Sequence, residues 1–254
     1  MPGHILAIQE DFFMNLRKVS SLDFSQIQQI KTMVNACTDA DGTSLSFPFD
    51  EADLFLYFEH NGSIVSAIAF IPVEDLLYEC SAFTDPKFRG QGLFSELLDE
   101  GIEDLPEDSE LIFYSDKKNS AAAAVLDAIG AELDSEEHMM ELLPENFSTA
   151  SLPLTADITE VSLDVDGTLT RRFSSGKAVI NFSVFPSHYY LYGFEVKETC
   201  RGKGYGTKFL QTVLTMLSSE KKILLQVAGS NTPALALYKK TGFRITETLC
   251  CYLY

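Results

Sequence analysis

The residues best suited to chemistry form one short run, Arg201-Gly202-Lys203-Gly204-Tyr205-Gly206-Thr207. Glycine lets the backbone turn tightly and approach a ligand closely. The run follows an apolar strand-like stretch, residues 189–196, and precedes Phe209, Leu210, Val213, Leu214 and Leu217, which recur at helical spacing. A helix that begins there presents unpaired N–H groups and the positive end of its dipole. Such a turn cradles an anion, and a pyrophosphate suits it. Arg201 and Lys203 add positive charge to the same loop.

The elements that must position this loop occur twice. A shift of 112 residues lays Phe88-Arg89-Gly90-Gln91-Gly92-Leu93 on Cys200-Arg201-Gly202-Lys203-Gly204-Tyr205, and Asn119, Ala124 and Gly130 on Asn231, Ala236 and Gly242. Matched spacing over this length points to a duplicated domain. The first copy reads as a helix over residues 24–37, strands over 54–59, 64–71, 76–83 and 111–114, and a helix over 121–129 closed by Gly130. The second reads as strands over 158–163, 168–173, 178–185, 189–196 and 223–227, with a helix over 233–240 closed by Gly242. Between its first two strands only Asp164-Val165-Asp166-Gly167 intervenes, so the second copy has a turn where the first has a helix. Cover for that side of the second copy is expected from the first domain or from the cleft between the two. Pro144, Asn146, Ser148 and Pro153 mark a linker. The expected division is residues 1–147 and residues 148–254.

Charge separates the halves. Residues 1–150 hold 29 acidic and 7 basic side chains, a net of −22, whereas residues 151–254 have a net of +4. No basic stripe offers phosphate neutralisation, so nucleic acid is not expected as a partner. No apolar run reaches the roughly 18 residues of a membrane helix, and the N-terminal residues do not read as a signal peptide. Five cysteines without a C-x-x-C pair fit reduced thiols in the cytoplasm, with no metal site.

Together, Arg201, Gly204 and Gly206, with Val227-Ala228-Gly229-Ser230-Asn231-Thr232-Pro233-Ala234-Leu235-Ala236-Leu237-Tyr238-Lys239-Lys240-Thr241-Gly242-Phe243 downstream, carry a family resemblance. The second half resembles the GNAT acetyltransferases, whose glycine motif is Q/R-x-x-G-x-G/A; the first half resembles them less closely. The fold implied is α/β (α+β): two tandem domains, each a mixed, mostly antiparallel sheet flanked by helices. The resemblance implies acetyl-CoA as acyl donor and an amine of a small molecule or peptide as acceptor. Val196 would bond the pantetheine arm through its backbone. Amides of Gly202, Lys203, Gly204, Tyr205, Gly206 and Thr207, beside Arg201, would hold the pyrophosphate, and Asn231 would contact the cofactor. Tyr238 would protonate the departing thiolate. Glu195 is the nearest carboxylate that could take the amine's proton, and Tyr190, Tyr192 and His188 would shape the acceptor pocket. The amine would attack directly, without an acyl-enzyme.

The first copy keeps Arg89, Gly90 and Gly92 but has Phe94 at the third small position, Leu126 for the tyrosine and Ala131 for Phe243. It is expected to be a degenerate domain, and the chain a monomer whose domains form a pseudo-dimeric pair. A non-catalytic acyl-CoA sensor or interaction module is the rival reading. The run Asp164-Val165-Asp166-Gly167-Thr168-Leu169-Thr170 matches a phosphatase signature, but the preceding alternating strand is wrong for a buried parallel one, and the run reads as a hairpin turn.

Overall fold

The computed structural model describes residues 14–147, 157–217 and 220–254. The chain divides into two compact units, Met1–Asp134 with Cys250–Tyr254, and Ser135–Leu249.

In the first unit β1 (Met14–Val19), β2 (Leu54–His60), β3 (Ser63–Glu74) and β4 (Leu77–Thr84) form an antiparallel run. The β2–β3 turn is Asn61-Gly62, both at positive φ (50° and 77°), a geometry that matches the twist of a two-residue hairpin. β5 (Glu110–Asp116) pairs parallel to β4. α1 (Phe24–Asp41) starts at a reciprocal Asp23–Gln26 capping box and lays Ile30, Met33 and Cys37 on Phe55, Tyr57, Ala67 and Ala69. α2 (Leu93–Ile102) and α3 (Ser120–Ile129) cover the other face, where Leu97, Leu98 and Leu126 meet Leu56, Ile68, Phe70 and Phe113.

Among the described residues the second unit repeats the plan with no counterpart of α1 between its first two strands. β7 (Thr159–Val165) reaches β8 (Thr168–Ser174) through Asp166-Gly167, at φ 50° and 78°, with Asp164 Oδ1 accepting from the Gly167 amide. Of the two aspartates of the phosphatase-like run, Asp166 therefore sits in a hairpin turn and Asp164, near the end of β7, holds that turn. β9 (Ala178–Val184), β10 (His188–Val196) and β11 (Lys222–Ala228) follow, with α4 (Tyr205–Met216) and α5 (Thr232–Lys240) on one face. Their core joins Phe182, Leu191, Leu225, Leu210, Val213 and Tyr238.

Two long strands escape the sequence reading. β6 (Glu132–Leu142) pairs antiparallel with β11 from Glu137 to Leu142, within the second unit. β12 (Arg244–Leu253) begins in the second unit, and the chain end beyond it, Tyr254, exchanges both backbone hydrogen bonds with Leu111 of the first at 2.9 Å. The units thus part at residues 134–135 and 249–250, whereas composition places the boundary at 147–148; the linker's described start, Pro144–Asn146, is a 3-10 turn, and residues 148–156 lie outside the described residues.

Removing Cys250–Tyr254 takes away the strand beside Leu111 and the Tyr254 ring, 6.5 Å from that of Phe113. β5 then becomes an edge strand. Hydrogen exchange is expected to show lost protection of the Leu111 amide, which donates to Tyr254, while the Glu110 amide keeps its bond to Leu76; full protection of Leu111 in the truncated chain would contradict the pairing.

Candidate functional site

β10 and β11 run parallel for only four rungs, from His188–Lys222 to Leu191–Leu225. At that point β10 bulges: its register with β9 shifts between Tyr192 and Glu195, and Gly193 takes φ 56°. A bulge adds a residue and bends the strand. The positive φ favours glycine at the bend, and a Cβ there would also meet the end of the Asn181 side chain at 2.8 Å. β10 keeps β9 as partner through Val196, while its other edge is past the last rung with β11. Peptide-like groups can bond to such an edge.

The glycine loop closes this opening. Gly202 and Gly204 take φ 69° and 71°, and Gly204 caps α4 with no side-chain hydrogen bond. The first amides of α4, Tyr205 to Thr207, therefore have no acceptor within the helix. Arg201 Nε donates to the Val196 carbonyl at 3.0 Å, tying loop to strand, and Lys203 Nζ donates to the Thr199 carbonyl at 2.9 Å. A Cβ on Gly206 would lie 3.0 Å from Leu237 Cδ1 and 3.2 Å from Val196 Cγ2. The third small position thus lets α4 sit close to β10 and α5. The Tyr205 hydroxyl meets Ser175 Oγ at 3.3 Å, and Lys177 Nζ lies 5.1 Å from the Tyr205 ring centroid. Lys177, which the sequence reading passed over, brings a third cation near the cradle from the β8–β9 turn.

Asn231 caps α5, its Oδ1 accepting from the Ala234 amide at 3.2 Å, which leaves Nδ2 for another acceptor. Tyr238 is buried, with its ring 6.4 Å from Phe194 just past the bulge and 5.5 Å from Phe243. Burial pushes its phenol up to about 12. Phe194 also stacks on Phe209 at 6.2 Å, and so links the bulge to both helices. Glu195 is exposed. By strand alternation it faces away from Phe194 and hence from α4 and α5. On its face Tyr190 OH donates to Gln226 Oε1 at 3.5 Å, and Gln226 Nε2 donates to Glu137 Oε2. Neither Gln226 nor Glu137 was singled out from the sequence, because nothing local announces that β6 lies beside β11.

The first copy builds the same loop and fills it differently. Gly90 and Gly92 take φ 73° and 82°, and Arg89 Nε donates to the Thr84 carbonyl at 3.1 Å, as Arg201 does to Val196. The Arg89 guanidinium makes two 2.8 Å hydrogen bonds to Asp41 at the end of α1, and Asn119 Nδ2 reaches the same carboxylate at 3.3 Å. That carboxylate pushes Arg89 further up. Cys37 Sγ adds a contact to the Thr84 carbonyl at 3.2 Å. β4 pairs with β3 in unbroken register from Tyr78 to Thr84, so it has no bulge where β10 has one. Phe94 packs toward Phe113, and Leu126 is buried where the second copy has its phenol.

The model of the Acetyltransferase (GNAT) family matches residues 22–131 and again residues 173–243, more than half of the chain. The fold is similar to that of a GCN5-related N-acetyltransferase from Sphaerobacter thermophilus (TM-score 0.64, 15% identity, 95% of each chain covered). It is also similar to a tandem GNAT protein from the clavulanic acid biosynthesis pathway, solved without acetyl-CoA (TM-score 0.66, 13% identity, 95% of this chain and 98% of that one). A GNAT-family acetyltransferase from Colwellia psychrerythraea gives TM-score 0.59 at 12% identity, over 94% and 99% of the two chains. No curated protein matches by sequence. Among the described residues no helix is long and apolar enough to cross a membrane, and no group of three or more His, Cys, Asp or Glu could hold a metal ion.

Replacing Gly204 by valine meets no neighbour, but forces a β-branched residue to φ 71°. Left-handed backbone costs such a residue about 1–2 kcal/mol. The loop is expected to relax out of its cradle geometry, and affinity for free CoA in equilibrium dialysis to fall at least tenfold. Undiminished affinity would remove these amides from the site.

Proposed function

The chain belongs to the acetyltransferase (GNAT) family, and from that premise we propose that its second unit moves an acetyl group from acetyl-CoA to an amine of a small molecule or peptide. The observation that carries the proposal is the junction of the bulged, half-paired β10 with the uncapped start of α4. The open edge of β10 up to Val196 offers backbone groups to a pantetheine arm. The amides of residues 202–207, with Arg201, Lys203 and Lys177 nearby, offer donors and charge to a diphosphate. Gly206 fits this role because a Cβ there would crowd the Leu237 and Val196 methyls that pack between α4, α5 and β10. Asn231 Nδ2 is placed at the start of α5 for a contact with the same ligand.

Tyr238 serves the departing thiolate. Its burial keeps the phenol protonated throughout the neutral range, so it always has a hydrogen bond to give as charge gathers on sulfur. Glu195, exposed on the opposite face, is the carboxylate we assign to the amine's proton. The five cysteines are thiols and not disulfides, which fits a reducing compartment, and we place the enzyme in the cytoplasm as a monomer.

We assign the first unit a supporting role. Asp41 occupies the arginine and asparagine groups that correspond to Arg201 and Asn231, and β4 lacks the bulge. A coenzyme there would have to displace a bidentate carboxylate. Dialysis is expected to find one CoA per chain, with that single site weakened in the Gly204→Val protein; two per chain would refute this division.

Incubation with acetyl-CoA and a panel of primary amines is expected to release free thiol, whereas tight binding without release would favour a sensor. Tyr238→Phe should lower kcat roughly 100-fold while CoA affinity stays within about threefold. With the phenol at about 12, kcat/KM has no alkaline fall near pH 10 that depends on Tyr238. A fall centred at pH 10 in the parent and missing in Tyr238→Phe would contradict the buried placement.

A further inference from the structure

The face of the second unit's sheet turned away from α4 and α5 carries a row of polar side chains. Along a strand successive residues alternate faces. Leu191, Leu225 and Met140 point into the core, so their neighbours Tyr190, Gln226 and Met139, and with them Glu137, point the other way. In the first unit α1 packs on the corresponding face. In the second, no described helix of that unit does so, because β7 turns directly into β8.

Three of these residues step across three adjacent strands. Tyr190 on β10 donates to Gln226 on β11, and Gln226 donates to Glu137 on β6. Gln226 is the first residue of β11 past the last rung with β10, and Glu137 pairs with Ala228, two residues deeper into the opening. The row therefore leads from the mouth of the proposed thioester site outward. Glu141, on the same face, is neutralised by Lys222 at 2.8 Å. Glu137 is exposed and has no basic partner among the described residues. Burial, and after it the Glu137 charge, pushes the Tyr190 phenol up, which shows that the carboxylate is felt across the row.

Adjacent strands lie about 4.8 Å apart, which sets Glu137 about 10 Å from β10 at the backbone. That is too far for contact with a nitrogen attacking a thioester held along β10. It is within reach of a second charged group on the same acceptor. We propose that Glu137, held by Gln226, is the acceptor's cation-binding residue, and that the acceptor is an amine bearing a second positive charge separated from the reacting nitrogen by several carbons. The net charge of −18 favours the approach of such a cation. This inference deepens the acyl-transfer reading and rests on it for the direction of approach.

The test uses 1,4-diaminobutane and n-butylamine, which match in carbon number and differ in the second charge. With the full chain and acetyl-CoA, kcat/KM by thiol release is expected to be at least tenfold higher for the diamine. Glu137→Gln keeps an acceptor for Gln226, so a melting curve should match the parent. It should cut kcat/KM for the diamine about tenfold through KM and leave butylamine unchanged, and Glu137→Asp should restore part of the loss. Calorimetry of 1,4-diaminobutane binding to the CoA-saturated protein reads the same residue without turnover. Equal losses for both amines, an unchanged diamine KM, or binding indifferent to Glu137→Gln overturns the cation site while leaving acyl transfer in place. Glu137-dependent binding with no thiol release from any amine supports the cation site and sinks acyl transfer.

Discussion

The parallel ladder between β10 and β11 stops after four rungs, and the bulge that follows on β10 governs most of the second unit's site. A continued ladder would satisfy the backbone of β10 with β11 and leave nothing for a ligand. Because β10 bends at Gly193, its far end stays with β9 and parts from β11. The same bend aims Phe194 and Val196 at α4 and α5. Gly206 completes the arrangement by letting α4 approach those two side chains. An insertion or a side chain at any of these points would close the opening or lift the helix that supplies the amides.

The two copies show how much of such a site survives when its use changes. Loop geometry is common to both: a short 3-10 turn, an arginine Nε on the carbonyl five residues back, and left-handed glycines before the helix. Those features are local and cheap to keep. The first copy departs in its longer-range features, where an 18-residue helix brings Asp41 to Arg89 and the strand register runs on without a bulge. The Asp41 carboxylate, held by α1, gives the Arg89 guanidinium a bidentate partner from within the same unit. The second copy has no such helix, so Arg201 keeps only a backbone carbonyl among its described contacts. With no helix between β7 and β8, the second copy has no counterpart of Asp41 beside Arg201.

Legibility from sequence followed the range of the interactions. Glycine turns and helical stripes are local, and the glycine loop, α4, α5 and both two-residue hairpins stand where the residues put them. The 112-residue period made the duplication visible because spacing survives when side chains drift. β6 and β12 were not legible. Glu132–Leu142 holds five acidic residues and little clean alternation, and its strand state comes from β11 beside it rather than from its own propensity. Composition marks a linker at 143–153, while the pairing of β6 with β11 joins residues 137–142 to the second unit. Glu137 was hidden for this reason, because its neighbours Gln226 and Tyr190 are 89 and 53 residues away.

The burial of Tyr238 restricts what the phenol can contribute. An ordinary thiol titrates near 8.5, so a phenol held at about 12 is the weaker acid by roughly 3.5 pH units. Complete transfer of its proton to a free thiolate is uphill by on the order of 5 kcal/mol. The favourable moment is earlier, while the carbon–sulfur bond is breaking and charge is only partly developed. A hydrogen bond given then lowers the barrier without the proton having to leave oxygen. Atoms still balance, because the attacking amine sheds a proton as the amide forms and the thiolate gains one. In the proposed reaction the route between them would run through solvent or through an exposed carboxylate such as Glu195, and Tyr238 would end the cycle as it began, protonated.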